Sequence, residues 1–263
     1  MTGIQVTHIG GPTALIEIDG WRLLTDPTFD PPGRKYSFGW GASSRKLHGP
    51  AIPAGDIGPI DAVLLSHDHH GDNLDDTGRA FLPRAKQVLT TVSGAKRLRG
   101  NAYGLAAGSA TVLERPGHPT VTITATPCRH GPPLSRPVAG DVIGFVLSWD
   151  GQQHGVLWIT GDTVLYDEVR RVPQRTRIGT MLLHLGCVQF PITGPARYTM
   201  TATQAVELCR LAQPHTTMPV HYEGWNHFHE NRDAVQAKFA LAPDSIRASL
   251  TWLPLGAPSL VRT

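Results

Sequence analysis

Cysteine is scarce in this chain. Cys128, Cys187 and Cys209 are the three in 263 residues, an odd number with no CxxC spacing. That argues against a disulfide framework and sets a reducing compartment, the cytoplasm, as the expectation. Long apolar runs are also missing. None approaches the roughly 18 to 20 residues that a spanning helix needs, so no membrane span is expected. The opening Met1-Thr2-Gly3-Ile4-Gln5 has no basic region followed by an apolar stretch, and no signal peptide is expected either. Charge of one sign is lacking too: 24 Lys and Arg face 21 Asp and Glu, a net charge of +3. Without a run of five or more Lys or Arg, a dedicated nucleic-acid surface is not expected. The partner left to expect is a small molecule.

With 40% hydrophobic and 17% charged residues, the chain has the composition of a globular protein. Its length buries a sufficient core without staples. Strand signals open it: Ile4 to Ile9, Ala14 to Ile18 and Trp21 to Thr25 are short apolar or alternating runs. Asp19-Gly20 between two of them predicts a hairpin. Residues 27–59 are rich in Pro, Gly and Ser and predict a long loop over a site mouth. Further strands are expected at 62–65, 87–91, 121–126, 142–149, 155–160, 181–185 and 216–220. Helices are expected at 92–99, 201–212 and 231–241. Thr201 with Gln204 forms a capping-box pattern, and Ala205, Leu208, Cys209 and Ala212 fall at helical spacing. With no repeat or composition break, one α/β domain over residues 1–263 is the reading, its sheets covered by helices.

The chemistry-bearing segment is Ser66-His67-Asp68-His69-His70-Gly71-Asp72-Asn73-Leu74-Asp75. In extended backbone, residues two apart share a face, so His67 and His69 can converge on one ion. The segment follows an apolar strand, where a rigid sheet hands over to a loop. Three more segments repeat the layout: His130 follows the strand at Val121, Asp162 the strand at Gly155, and His221 the strand at Thr216. A single HxH is weak evidence, since lone histidines are commonly packing or surface residues. Four strand ends in order, each carrying an imidazole or carboxylate, point to a metal site. Such groups are the N and O ligands of Zn²⁺.

The order Thr25-Asp26-Pro27, Ser66-His67-x-His69, His130, Gly161-Asp162-Thr163, His221 resembles the metallo-β-lactamase superfamily. It is most similar to the branch holding L-ascorbate 6-phosphate lactonase and N-acylphosphatidylethanolamine phospholipase D. The resemblance spans about residues 5–225 and implies a four-layer αββα sandwich with metals at one edge. It implies His67, His69 and His130 on a first metal, Asp162 as a bridging carboxylate and His221 on a second metal. The family's HxHxDH pattern is not met without a gap. Read with one inserted residue, Asp72 keeps its role and an asparagine, Asn73, replaces the second-site histidine. The implied cofactor is Zn²⁺, one or two ions, with Mn²⁺ or Fe acceptable in the second position.

The implied activity is hydrolysis of an ester, lactone or phosphodiester by a metal-bound hydroxide, a metal lowering the pKa of its water to about 7. Asp72 is the candidate catalytic base or orienting group. Asp26 is either an outer-shell partner or a turn residue before Pro27. His70, alternating away from its neighbours, is expected to pack or hydrogen-bond more than to ligate, though it can fill the gap left at Asn73. His184 is either substrate-facing or core, His227 and His229 are substrate-side or surface, and Tyr198 and Tyr222 are possible donors to a substrate. Arg129, Arg136 and Arg197 are candidates for a phosphate, with a solvated surface the default for each. A redox di-iron protein on the same fold is one alternative, but its HxExD pattern is not met at His69 and no length remains for a flavin domain. RNA-processing relatives carry a large inserted domain, which 263 residues do not accommodate. A metal-binding protein without catalysis is the remaining alternative.

Overall fold

The structure, a computed structural model, describes residues 3–263; Met1 and Thr2, where the amino-terminal reading begins, lie outside them. The chain opens with β1 (Gly3–Gly10), β2 (Thr13–Ile18) and β3 (Trp21–Thr25). Asp19 and Gly20 join β2 to β3 with φ of 40° and 90°, the left-handed pair that a tight hairpin turn requires. Residues 27–59 are not all loop. They hold a small hairpin, β4 (Lys35–Ser37) and β5 (Ser43–Arg45), too short to register as alternation. Next come β6 (Ile60–Leu64), β7 (Ala85–Thr91) and β8 (Ala102–Leu105), then β9 (Ala110–Leu113), β10 (Val121–Pro127), β11 (Ile143–Ser148), β12 (Val156–Ile159), β13 (Ile178–His184), β14 (Thr216–Val220) and β15 (Pro258–Arg262). The helices are α1 (Asp76–Phe81), α2 (Val92–Leu98), α3 (Arg136–Ala139), α4 (Asp167–Arg175), α5 (Ala202–Ala212), α6 (Arg232–Ala240) and α7 (Asp244–Ser249).

Two sheets result, ordered β15-β1-β2-β3-β6-β7-β8 and β14-β13-β12-β11-β10-β9. Alternation along the strands builds the layers. Leu23, Ala62 and Leu64 of the first sheet meet Phe145, Leu157 and Ile159 of the second in one core. Their neighbours point outward: Leu24 and Val63 pack under Phe81 of α1, and Trp158 packs under Val169 of α4, Leu208 of α5 and Phe239 of α6. Each such side chain contributes about 1.5–3 kcal/mol on burial. The outcome is the expected αββα sandwich. In α5 the capping box forms as read, with Gln204 N donating to Thr201 Oγ1 and Thr201 N to Gln204 Oε1, both at 3.2 Å.

This topology brings the chemistry to one edge. β12, β13 and β14 run parallel, and β10 parallels them across the antiparallel β11, Pro127 facing Ile143 and Phe145 facing Ile159. All four strands therefore end on the same side. β3 and β6, parallel in the other sheet, end there too, since Ile143 N donates to Ser66 O at 3.2 Å across the sandwich.

Candidate metal centre

Each of these strand ends delivers a buried polar side chain. His67, Asp72, His130, Asp162 and His221 are all at most 5% exposed. One ligand atom from each of His67, His130 and Asp162 lies within 4.8 Å of the others, and the same holds for Asp72, Asp162 and His221. Asp162 is common to both groups. Asp72 rather than the side-chain-less Gly71 meets Asp162 and His221, as the gapped reading of the motif expects.

The imidazoles are oriented by what their far nitrogens touch, an arrangement common around metal ligands. His130 Nδ1 donates to Tyr198 O at 2.8 Å, and His67 Nδ1 bonds Ser66 Oγ at 2.9 Å. His69 Nε2 donates to Ala139 O, which leaves the lone pair on Nδ1, a buried atom with no hydrogen-bond partner. Gly140 makes that contact possible. Its φ is +70°, and a Cβ there would lie 2.2 Å from His69 Cε1. Gly140→Ala is expected to displace His69 and weaken metal affinity by about 10- to 100-fold, the usual cost of losing an outer-shell contact. Competition with a chromogenic zinc chelator measures it, and unchanged affinity contradicts this role.

The carboxylates divide in behaviour. Burial alone would push the Asp72 carboxyl up, but His221 and His227, whose Nε2 atoms lie 3.6 and 3.0 Å from its Oδ2, hold it well below the usual range. Asp162 is pushed well above its ordinary value by burial and by the charges of Asp72 and Asp26. Its Oδ1 is buried without a hydrogen-bond partner, as is His221 Nε2. Burial also lowers the histidines: His67 and His70 fall well below their ordinary value, and His130 falls to about 4. Buried imidazole nitrogens and a carboxylate oxygen gathered without hydrogen-bond partners are what a cation satisfies. Left bare, each buried charge costs several kcal/mol. The donor set fits a divalent metal.

Two histidines stand closer to the centre than the sequence suggested. His70 Nδ1 lies 3.1 Å from His67 Nε2 and 3.2 Å from His130 Nε2. Strand alternation does not reach residues 66–70, because β6 ends at Leu64 and the chain bends at Ser66, Asp68 and His69. His227 is not a surface group: it is 3% exposed, and its Nε2 lies 3.0 Å from Asp72 Oδ2. Phe38 and Phe190 pack on its ring at 5.1 and 5.3 Å. No periodicity marks that segment; the spacing of Trp225, His227 and Phe228 was the available signal.

Asp26 sits behind the centre. Its Oδ1 accepts from Ser66 N at 2.6 Å, and its Oδ2 is 3.6 Å from His184 Nε2. Its φ is +31°, so both the turn and the outer-shell expectation describe it. His184 is fully buried against Thr160. Asn73 lies between the carboxylates: with its amide nitrogen turned to them it donates to Asp162 Oδ2 at 3.1 Å and Asp72 Oδ1 at 3.3 Å. Turned the other way, it donates to Asp26 Oδ2 and Ser66 Oγ at 3.4 Å and presents its carbonyl oxygen. Tyr222, expected as a possible substrate donor, is instead buried in the helix-side core against Trp252. His229 and Arg197 are exposed.

Over the centre lies the β4–β5 hairpin. Phe38 at its tip stacks 5.3 Å from His70. Its base is tied down by Lys46, whose Nζ donates to Asp75 at 2.7 Å, and by Tyr36, whose hydroxyl donates to Asp30. The residues given to a loop over the site mouth do cover it. Among the described residues, no helix is long and apolar enough to cross a membrane.

Comparisons with known proteins agree with this architecture. Residues 21–222 match the family model described as a beta-lactamase superfamily domain. An uncharacterized protein of Mycobacterium tuberculosis is 39% identical over 72 residues, which is 27% of this chain and 18% of that protein. A UPF0173 metal-dependent hydrolase of Opitutus terrae is 29% identical, with 83% of this chain and 85% of the relative covered. Among solved structures, the isothiocyanate hydrolase from Delia radicum gut bacteria superposes with a TM-score of 0.80 at 19% identity, covering 98% of this chain and 100% of that one. The diiron β-hydroxylase CmlA from Streptomyces venezuelae gives 0.66 at 12% identity, covering 100% of this chain and 55% of that one. Identities this low speak for the fold alone. With its family model matched over most of its length and two sheets ending in one histidine- and aspartate-rich edge, the chain belongs to the beta-lactamase superfamily, in the metallo-β-lactamase fold.

Proposed function

We propose that this protein is a metal-dependent hydrolase, one domain over its 263 residues, cleaving an ester, lactone or phosphodiester bond of a small molecule. The carrying observation is the cluster of buried, unpartnered ligand atoms: Asp162 Oδ1, His69 Nδ1 and His221 Nε2. The first cation position takes His67, His69, His130 and Asp162, with His70 beside them. The second takes Asp72, Asp162 and His221, with Asn73 and His227 at its border. A divalent ion, when bound, supplies a Lewis acid and an acidified water.

The chain's own residues supply the rest. Asp72, held ionised by His221 and His227, can orient a water and accept its proton. Tyr198, Ser66 and Ala139 fix the imidazoles, and Phe38 excludes bulk water above His70. The two positions differ in chemistry. Three imidazoles suit Zn²⁺, whereas two carboxylates with the single imidazole of His221 make a harder set that also accepts Mn²⁺ or Fe. The reading is tested by metal analysis of the purified protein, followed by an esterase, lactonase and phosphodiesterase screen with and without chelator. At least one bound ion and chelator-sensitive hydrolysis are expected. A bound metal without any hydrolysis would favour the non-catalytic alternative, and oxygen consumption would favour the redox one.

A further inference from the structure

Resting on the hydrolase reading, we infer that the centre acts on neutral substrates with an apolar arm, which lodges in the cavity under the β4–β5 hairpin. The cavity, about 370 Å³, opens beside His70 and His130. Phe38 and Trp40 wall it from the hairpin, Leu134 from the loop before α3, and Phe190, Ile192 and Tyr198 from the segment between β13 and α5. Among the described residues, none that lines it is Lys, Arg, Asp or Glu. Sites for phosphate present arginine, lysine or a helix amino terminus to the anion. Predominantly apolar walls with a few polar groups at one end are the mark of a site for an apolar ligand. Arg129 and Arg136 line an adjoining groove of about 340 Å³ that shares His130, Pro132, Leu134 and Ser135 with the cavity. There Arg129 lies over the Tyr166 ring at 4.6 Å, and Arg136 is paired with Asp141.

The rim carries the same signal. Trp40 is 78% exposed, Leu134 95% and Ile192 63%. Single exposed apolar residues are ordinary, but these three come from three separate segments and meet at one mouth. Gly39, Trp40 and Gly41 all have positive φ, 82°, 49° and 79°, a tight tip that presents the indole at the opening. Among the proposed bonds, carboxylic esters and lactones bring no charge to these apolar walls, whereas a phosphodiester brings an anion that only bound metal would offset. In the reaction, the oxygen of water bonds to the acyl carbon and the acyl C–O bond breaks. Its electron pair stays on the leaving oxygen, which takes a proton from the water, giving acid and alcohol.

The test compares p-nitrophenyl acetate, p-nitrophenyl hexanoate and bis(p-nitrophenyl) phosphate on the metal-loaded protein. kcat/KM is expected to rise about fourfold per added methylene until the arm is buried, and the phosphodiester to be the poorest substrate. Trp40→Ala with Ile192→Ala, both at exposed positions, should flatten the hexanoate-to-acetate ratio. Equal rates for the two esters, or preference for the phosphodiester, overturns the inference. A turnover-independent arm follows the Trp40 indole and Ile192 methyl signals by NMR during titration with 2-octanone and with 2-butanone. Tighter binding of the longer ketone supports the cavity's role, and no perturbation by either overturns it. If the ketone binds but none of the three substrates is cleaved, the hydrolase reading fails while the apolar cavity stands.

Discussion

Replacing Asp162 with asparagine is expected to make the metal-free protein more stable and the metal-loaded protein at least about a thousandfold slower, the effect of several kcal/mol of lost charge stabilisation. The two effects share one cause. Asp162 is fully buried beside Asp72 and Asp26, and its carboxyl is pushed well above its ordinary value by burial and then by those charges. A carboxyl whose pKa is higher folded than unfolded takes up a proton on folding. Its penalty is therefore absent below the unfolded value of 3.8, grows as pH rises toward the folded value, and is full above it. Asparagine removes that penalty. Melting temperatures of the stripped proteins should thus separate increasingly as pH rises above about 4, with Asp162→Asn the higher. With metal the order reverses, because the wild type gains from its bound ions. A stripped variant less stable than wild type at every pH would show that Asp162 is satisfied by the chain itself.

The second large effect is structural and lies outside the centre. Asp75 is almost fully buried and accepts from four donors: Phe29 N at 2.9 Å, Asp30 N at 2.6 Å, Gly78 N at 2.8 Å and Lys46 Nζ at 2.7 Å. Through Gly78 it caps α1, and through Lys46 it anchors the base of the hairpin over the site. Asp75→Ala leaves three backbone N–H groups unpaired and the Lys46 ammonium buried without its counter-charge. The expected loss is about 3–5 kcal/mol by chemical denaturation, the range for breaking one partner out of a buried pair. Lys46→Met should cost less, since Asp75 keeps its three backbone donors. Equal costs for the two variants would contradict this reading.

Much of this was legible in the sequence because strand ends are where apolar alternation stops and ligand-type residues begin. Ala62-Val63-Leu64-Leu65 announced β6, and His67, His69, His130, Asp162 and His221 each followed such a run. The sandwich followed from the resemblance and from strands mixed with helices. Short, exposed or proline-bearing elements were not legible. β8 and β9 are edge strands with several exposed residues, α4 holds Pro173 inside it, which argues against a helix by local rule, and α1 is six residues long with a glycine. His227 is expected from the sequence only as substrate-side or surface, because its buried place beside Asp72 depends on Phe38 and Phe190, which come from distant segments. His70 is buried and hydrogen-bonded as expected, but on the side of its neighbours, because strand alternation ends with β6.

The central claim, that these side chains hold metal, is tested most directly by titrating Zn²⁺ into stripped protein and recording the heat. One tight step is expected, from the position built on His67, His69 and His130. A weaker step should follow, from the oxygen-rich position beside Asn73, and the tight step should vanish in the folded His67→Ala/His69→Ala variant. A folded wild type that takes up no ion, or a double variant that binds as tightly as wild type, would contradict the account.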